Sequence, residues 1–190
     1  MAARDLHHLE TQRNHAWLCV KDESGTIIAV GKWRLEDEGT HDEPEEKDAT
    51  PTPGFRKEVG DAFFGMIHKA RAEVMGRRTY WHLVVLTTDP DHERKGAGRM
   101  LVKWGCERAD KEGLDAFLDA TATGRPLYER FGFVVQRENE LKLEQFGCEG
   151  SARTWSMIRK PRTGVLMGYG ESATSGRGEV DDRGAEAIGA

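Results

Sequence analysis

Glu93-Arg94-Lys95-Gly96-Ala97-Gly98-Arg99 is the stretch whose residue types and spacing point most directly to chemistry. It follows the apolar run Trp81 to Leu86 and opens a segment with helical spacing, Gly98 to Lys111. Glycines at 96 and 98 let a main chain pass close to a ligand with no Cβ in the way. A helix that opens there presents unpaired N–H groups and the positive end of its dipole. Arg94, Lys95 and Arg99 add formal positive charge. This arrangement suits a phosphate or a pyrophosphate.

Two common phosphate motifs are excluded. The dinucleotide fingerprint needs a third glycine, and that place is taken by Leu101. The nucleoside-triphosphate loop G-x-x-x-x-G-K-[ST] does not occur. The elements that must hold the turn are nonetheless clear. The strand Trp81–Leu86 precedes it, the helix Gly98–Lys111 follows, and a second apolar strand, Leu114–Ala120, comes next. Such a unit normally lays its two strands side by side and parallel.

Elsewhere the pattern predicts a short helix starting within polar residues 1–14, then a hairpin of Ala16–Lys21 and Thr26–Leu35 turning at Ser24-Gly25. Glu36 to Gly54 carries eight acidic residues, one lysine and three prolines and reads as a disordered loop. Val59, Phe63, Met66, Ile67, Ala70 and Val74 recur at helical spacing within Lys57–Met75, with Phe63, Met66 and Ile67 read as core contacts. In the helix after the glycines, Leu101, Val102, Gly105 and Ala109 form the buried face. Pro126–Arg130 reads as a short helix. Phe133–Val135 and Leu141–Leu143 read as an antiparallel pair about a polar turn, Arg137–Glu140, and Thr154–Ile158 as the last strand. From Pro161 onward, seven glycines and few large apolar residues predict a disordered tail. The expected organisation is one domain over 1–160, interrupted by the loop at 36–54, and a tail over 161–190.

Composition limits the partners. A net charge of −5 argues against general nucleic-acid binding. No apolar run approaches the ~20 residues of a membrane-spanning helix. Three scattered cysteines, Cys19, Cys106 and Cys148, without a C-x-x-C, imply a reduced compartment: the cytoplasm, with the nucleus left open. Adjacent His7 and His8 suggest no metal site, and no metal is expected.

The phrases R-K-G-A-G-R-M-L-V-K-W, E-R-A-D-K-E-G and G-R-P-L-Y-E-R-F-G-F, in that order, resemble the GNAT N-acetyltransferase superfamily, and fungal-type members in particular. The resemblance covers roughly Trp17 to Lys160. It departs at Glu93, where the family has Gln or Arg, and before Trp17, where the family places a strand and two helices and this chain has fewer than twenty residues. The resemblance implies an α/β fold: a mixed, mostly antiparallel sheet with helices on both faces and a splayed parallel strand pair. It implies acetyl-CoA as acyl donor, with its diphosphate on Arg94, Lys95, Gly96, Ala97, Gly98 and Arg99 and its pantetheine arm along Leu86, Thr87 and Thr88. One backbone N–H of those last three residues would polarise the thioester carbonyl.

By the same resemblance Tyr128 lies near the cofactor sulfur and donates a proton to the departing thiolate. A phenol keeps its proton at neutral pH and can give it up there. For a general base the chain offers His82 on the central strand and Asp119 on the next, either of which could face the acceptor. The implied reaction moves an acetyl group to a primary amine, a small molecule or a peptide, by direct attack in a ternary complex. No cysteine has the setting of a nucleophile. The missing N-terminal segment opens a second reading, a truncated CoA-binding or interaction protein with weak catalysis. A homodimer is left open.

Overall fold

In this computed structural model, residues 5–11, 14–37, 54 and 56–162 are described. Their centre is one sheet of seven strands: β1 (Asp5–Thr11), β2 (His15–Lys21), β3 (Ile27–Glu36), β4 (Tyr80–Thr88), β5 (Asp115–Ala120), β6 (Val134–Lys142) and β7 (Ser151–Arg159). The strand order is β1-β2-β3-β4-β5-β7-β6. Every neighbouring pair is antiparallel except β4 and β5. The parallel pair needs a crossover, which helix α2 (Ala97–Glu112) supplies. Helix α1 (Lys57–Met75) joins β3 to β4, and helix α3 (Arg125–Arg130) follows β5.

Strand alternation decides which face carries which helix. Trp81, Leu83, Ala116, Leu118 and Ala120 pack with Leu101, Val102, Cys106 and Ala109 of α2 and with Tyr128 of α3. Tyr80, Phe117 and Ile158 point the other way and pack with Val74 and Met75 of α1. The fold is thus the expected mixed sheet with helices on both faces. Helix α2 lies close because Gly105 has no side chain: a Cβ there would meet three atoms of the Trp33 ring at under 3.0 Å. Trp33 is fully buried, and its indole N–H donates to the carbonyl of Leu101 at 3.1 Å.

Several local expectations are corrected. Residues 5–11 form a strand rather than the start of a helix, because pairing with β2 satisfies backbone groups that a bare edge would leave open. The strand expected to be missing is therefore present. Three residues separate it from β2, too few for the two helices. Arg137–Glu140 is not a turn but the middle of one continuous strand. Its charges are satisfied across the sheet, where Glu140 accepts from Arg153 at 2.8 Å, and toward α1, where Arg137 pairs with Glu73. Phe63, Met66 and Ile67 are only half-buried, and the core is reached by Ala70, Val74 and Met75 instead. Glu36, placed in the acidic loop by composition, is the buried last residue of β3. The rest of that loop over 38–53, and the tail from 163 onward, lie outside the described residues. Among the described residues no helix is long and apolar enough to cross a membrane.

Candidate functional site

Strands β4 and β5 pair at only three positions, Tyr80–Asp115, Trp81–Ala116 and His82–Phe117. Beyond His82, β4 continues to Thr88 beside β3 alone, so the two parallel strands part in a V. On the β4 arm, Val84 and Val85 are 39% and 36% exposed, unusual for a central strand and a sign of an open groove.

A β-bulge, which nothing in the sequence marked, shapes this arm. Lys32 pairs with Val85 and Trp33 with Leu83, so Val84 is an extra residue without a partner. An extra residue reverses the side-chain alternation. Trp81 and Leu83 face α2 before the bulge, and Leu86 and Thr88 face it after. Thr87 is exposed, while Leu86 and Thr88 are half-buried.

The β4 arm ends against the glycine turn. A Cβ at Gly98 would stand 3.6 Å from Thr88 Oγ1, 3.7 Å from Leu127 Cδ2 and 3.9 Å from Leu86 Cδ2, so β4, α2 and α3 meet there. Between β4 and α2, Asp89 Oδ1 accepts from the Asp91 N–H at 2.8 Å and shapes a short 3₁₀ turn, Pro90–His92. Gly96 then takes φ 96°, which glycine adopts without strain. Arg94 sits at φ 54°, the one non-glycine residue with positive φ among those described. The N–H groups of Gly96, Ala97, Gly98 and Arg99 donate to no acceptor among the described residues. Arg94 and Arg99 are exposed and without an acidic partner among the described residues. Lys95 is turned back onto the Asp91 carbonyl at 2.7 Å. A row of free N–H donors flanked by two unpaired guanidinium groups fits a diphosphate.

Tyr128 is 8% exposed and packs edge-on against Phe133. Burial pushes its phenol up to about 12, and no group among the described residues hydrogen-bonds its hydroxyl. It therefore stays protonated through neutral pH.

His82 lies on the α1 face, in a buried cluster that the sequence did not reveal. Its Nδ1 is 3.0 Å from Glu36 Oε1 and 3.2 Å from Arg71 Nη1. Arg34 donates to the same Glu36 oxygen at 2.6 Å. Burial resists ionisation of Glu36, but His82 and Arg34 outweigh it and hold the carboxyl well below its usual range. Burial, with the nearby Arg71 cation, lowers His82 to about 4 against the pull of Glu36. At neutral pH an ionised Glu36 thus accepts the Nδ1–H of a neutral imidazole. Glu36 and Arg71 were missed because the pattern put one in a loop and gave the other no partner.

Asp119, the other base candidate, is also on the α1 face, and its Oδ1 accepts from Ser156 at 2.7 Å. Burial raises its carboxyl above the ordinary value, partly offset by Ser156 and Arg71. Cys19 and Cys106 are buried, and burial pushes the Cys106 thiol up to about 11.

Comparison with known proteins follows the same lines. The profile of the acetyltransferase (GNAT) family matches residues 2–133. An uncharacterized N-acetyltransferase of Schizosaccharomyces pombe is 32% identical over 111 residues, which are 57% of this chain and 43% of that protein. The chain thus spans less than half the length of that relative. Among solved structures, mosquito arylalkylamine N-acetyltransferase like 5b superposes with a TM-score of 0.55 at 19% identity, over 76% of this chain and 74% of its own. The Drosophila melanogaster polyamine N-acetyltransferase that forms N-acetylagmatine does so at 0.56 and 14% identity, again over 76% and 74%. At such identities the structures speak for the fold alone.

Proposed function

Because this chain belongs to the acetyltransferase (GNAT) family, we propose that it moves an acetyl group from acetyl-CoA to a primary amine, by direct attack with both substrates bound. The observation that carries this reading is the parting of β4 from β5 after three residue pairs, with the β4 arm ending on four free backbone N–H groups. Those donors, at Gly96 to Arg99, with Arg94 and Arg99 beside them, would hold the diphosphate. The pantetheine arm would lie along Leu86, Thr87 and Thr88 in place of the missing strand partner. Acetyl-CoA supplies the activated thioester when bound. A backbone N–H of the β4 arm would polarise its carbonyl, and Tyr128 would return a proton to the sulfur.

Direct attack is supported by the cysteines, since a buried Cys106 thiol held protonated is a poor nucleophile. The reduced cysteines fit a cytoplasmic setting.

Calorimetric titration with CoA, followed by thiol release from acetyl-CoA across a panel of amines, tests the proposal. Binding and amine-dependent thiol release are expected. No binding overturns the donor site. Binding with no release on any amine favours the reading of a CoA-binding protein without turnover.

A further inference from the structure

We propose that Asp119 binds the acceptor as its ammonium ion and takes its proton, through Oδ2, on the β5 arm of the V. This rests on the acetyl-transfer reading and adds a residue and a charge state to it. Ala116, Leu118 and Ala120 of β5 are buried with α2, so Phe117 and Asp119 point to the opposite face. Phe117 is the last β5 residue paired with β4. Asp119 is therefore the first residue on that face beyond the point where the strands part.

The carboxylate is held from behind and free in front. Oδ1 takes the Ser156 hydroxyl, which is fully buried and itself accepts from Asn139 Nδ2 at 2.9 Å. Asn139 Nδ2 also lies 3.4 Å from Thr154 Oγ1, which extends the ladder along β7. Oδ2 of Asp119 has no partner among the described residues. Asn139 is 3% exposed, and its Oδ1 is buried with no hydrogen-bond donor among the described residues. An ammonium ion brings three donors and no acceptor, which suits the unpaired Oδ2 of Asp119. Arg71 of α1 is the cation that Asp119 feels. Tyr80 of β4 feels the Asp119 charge in turn, while Glu36 of β3 is already engaged by His82.

The step balances as follows. The ammonium gives one proton to Asp119 and becomes a neutral amine. Its lone pair forms the C–N bond to the thioester carbonyl carbon, and the C–S bond breaks with its electron pair on sulfur. Tyr128 protonates the sulfur, and the second amine proton restores the phenol. Asp119 returns its own proton to solvent.

A matched pair of acceptors separates proton removal from mere folding. Ethylamine is ionised at neutral pH, whereas trifluoroethylamine is neutral and needs no base before attack. In Asp119→Asn, kcat/KM for ethylamine is expected to fall about 100-fold or more and that for trifluoroethylamine by less than about tenfold. Ethylamine affinity, read by calorimetry without acetyl-CoA, should fall as well, with CoA affinity unchanged. Should Asp119→Asn fail to fold, Ser156→Ala serves: it removes a hydrogen bond that stabilises the carboxylate, so the acidic limb of kcat/KM should move to higher pH. Equal losses on the two amines, or no movement of that limb, overturn the role of Asp119 and leave the acetyl-transfer reading intact. A parent protein that turns over neither these two amines nor any other of the panel overturns both.

Discussion

Gly105→Ala tests how helix α2 is seated. In an exposed helix, replacing glycine with alanine stabilises by about 1 kcal/mol. Here the new methyl would meet Cε2, Cζ2 and Cδ2 of Trp33, all closer than 3.0 Å, where ordinary contacts stand near ~3.5–4.0 Å. The ring has no room to retreat: it is fully buried and hydrogen-bonded to Leu101 of the same helix. Overpacking of this kind costs roughly 1–3 kcal/mol, and a rigid indole in three-atom contact belongs at the upper end. After the propensity gain, a net loss of about 2 kcal/mol is expected. For a chain of this size that lowers Tm by roughly 4–8 °C. The same shift should carry the first turn of α2 away from β4 and weaken CoA binding in calorimetry. A thermal melt in which Gly105→Ala equals or exceeds the parent would refute the reasoning. In the double variant with Trp33→Phe, the smaller ring should recover about 1 kcal/mol of the loss, read as non-additivity in urea titrations.

Three further outcomes are expected. Tyr128→Phe should keep CoA affinity and lose turnover by about 100-fold or more; undiminished thiol release removes the tyrosine from the chemistry. His82, held to about 4 in the folded chain against ~6.5 when unfolded, binds a proton only in the unfolded state across that window. Stability should therefore fall as pH drops from about 6.5 to about 4, and His82→Gln should flatten that slope in urea midpoints taken at several pH values. Asp110→Ala should cost about 3 kcal/mol in urea unfolding, because it strands Arg159, 3% exposed and bound through both Nη1 and Nη2 at 2.7 Å. A loss below about 1 kcal/mol would show that solvent compensates the guanidinium.

The half of the fold from α1 through α2 was legible because its signals are local. Helix α1 was read at its true bounds from apolar spacing, and α2 from its glycine turn and buried face. Gly96 announced the turn because a positive φ there suits glycine alone. What escaped depends on partners far along the chain. Strand β1 has little apolar alternation and is defined by pairing with β2. The charged middle of β6 looked like a turn because Arg153 and Glu73, which satisfy it, are distant in sequence. The Val84 bulge has no residue signature; it is a mismatch between two strand lengths. The Glu36–His82–Arg71 cluster joins β3, β4 and α1 and exists only once the register is set. Phe63, Met66 and Ile67 show the converse: helical spacing marks a face, but not how far the sheet extends beneath it.

Arg94 has one more consequence. A left-handed backbone under a branched-off side chain is disfavoured by roughly 1–2 kcal/mol, and glycine would relieve it. Folding alone gives no reason for an arginine at that point. An Arg94→Gly protein should be the hardier molecule and the poorer host for an anion. On the proposed reading, the residue trades durability for grip.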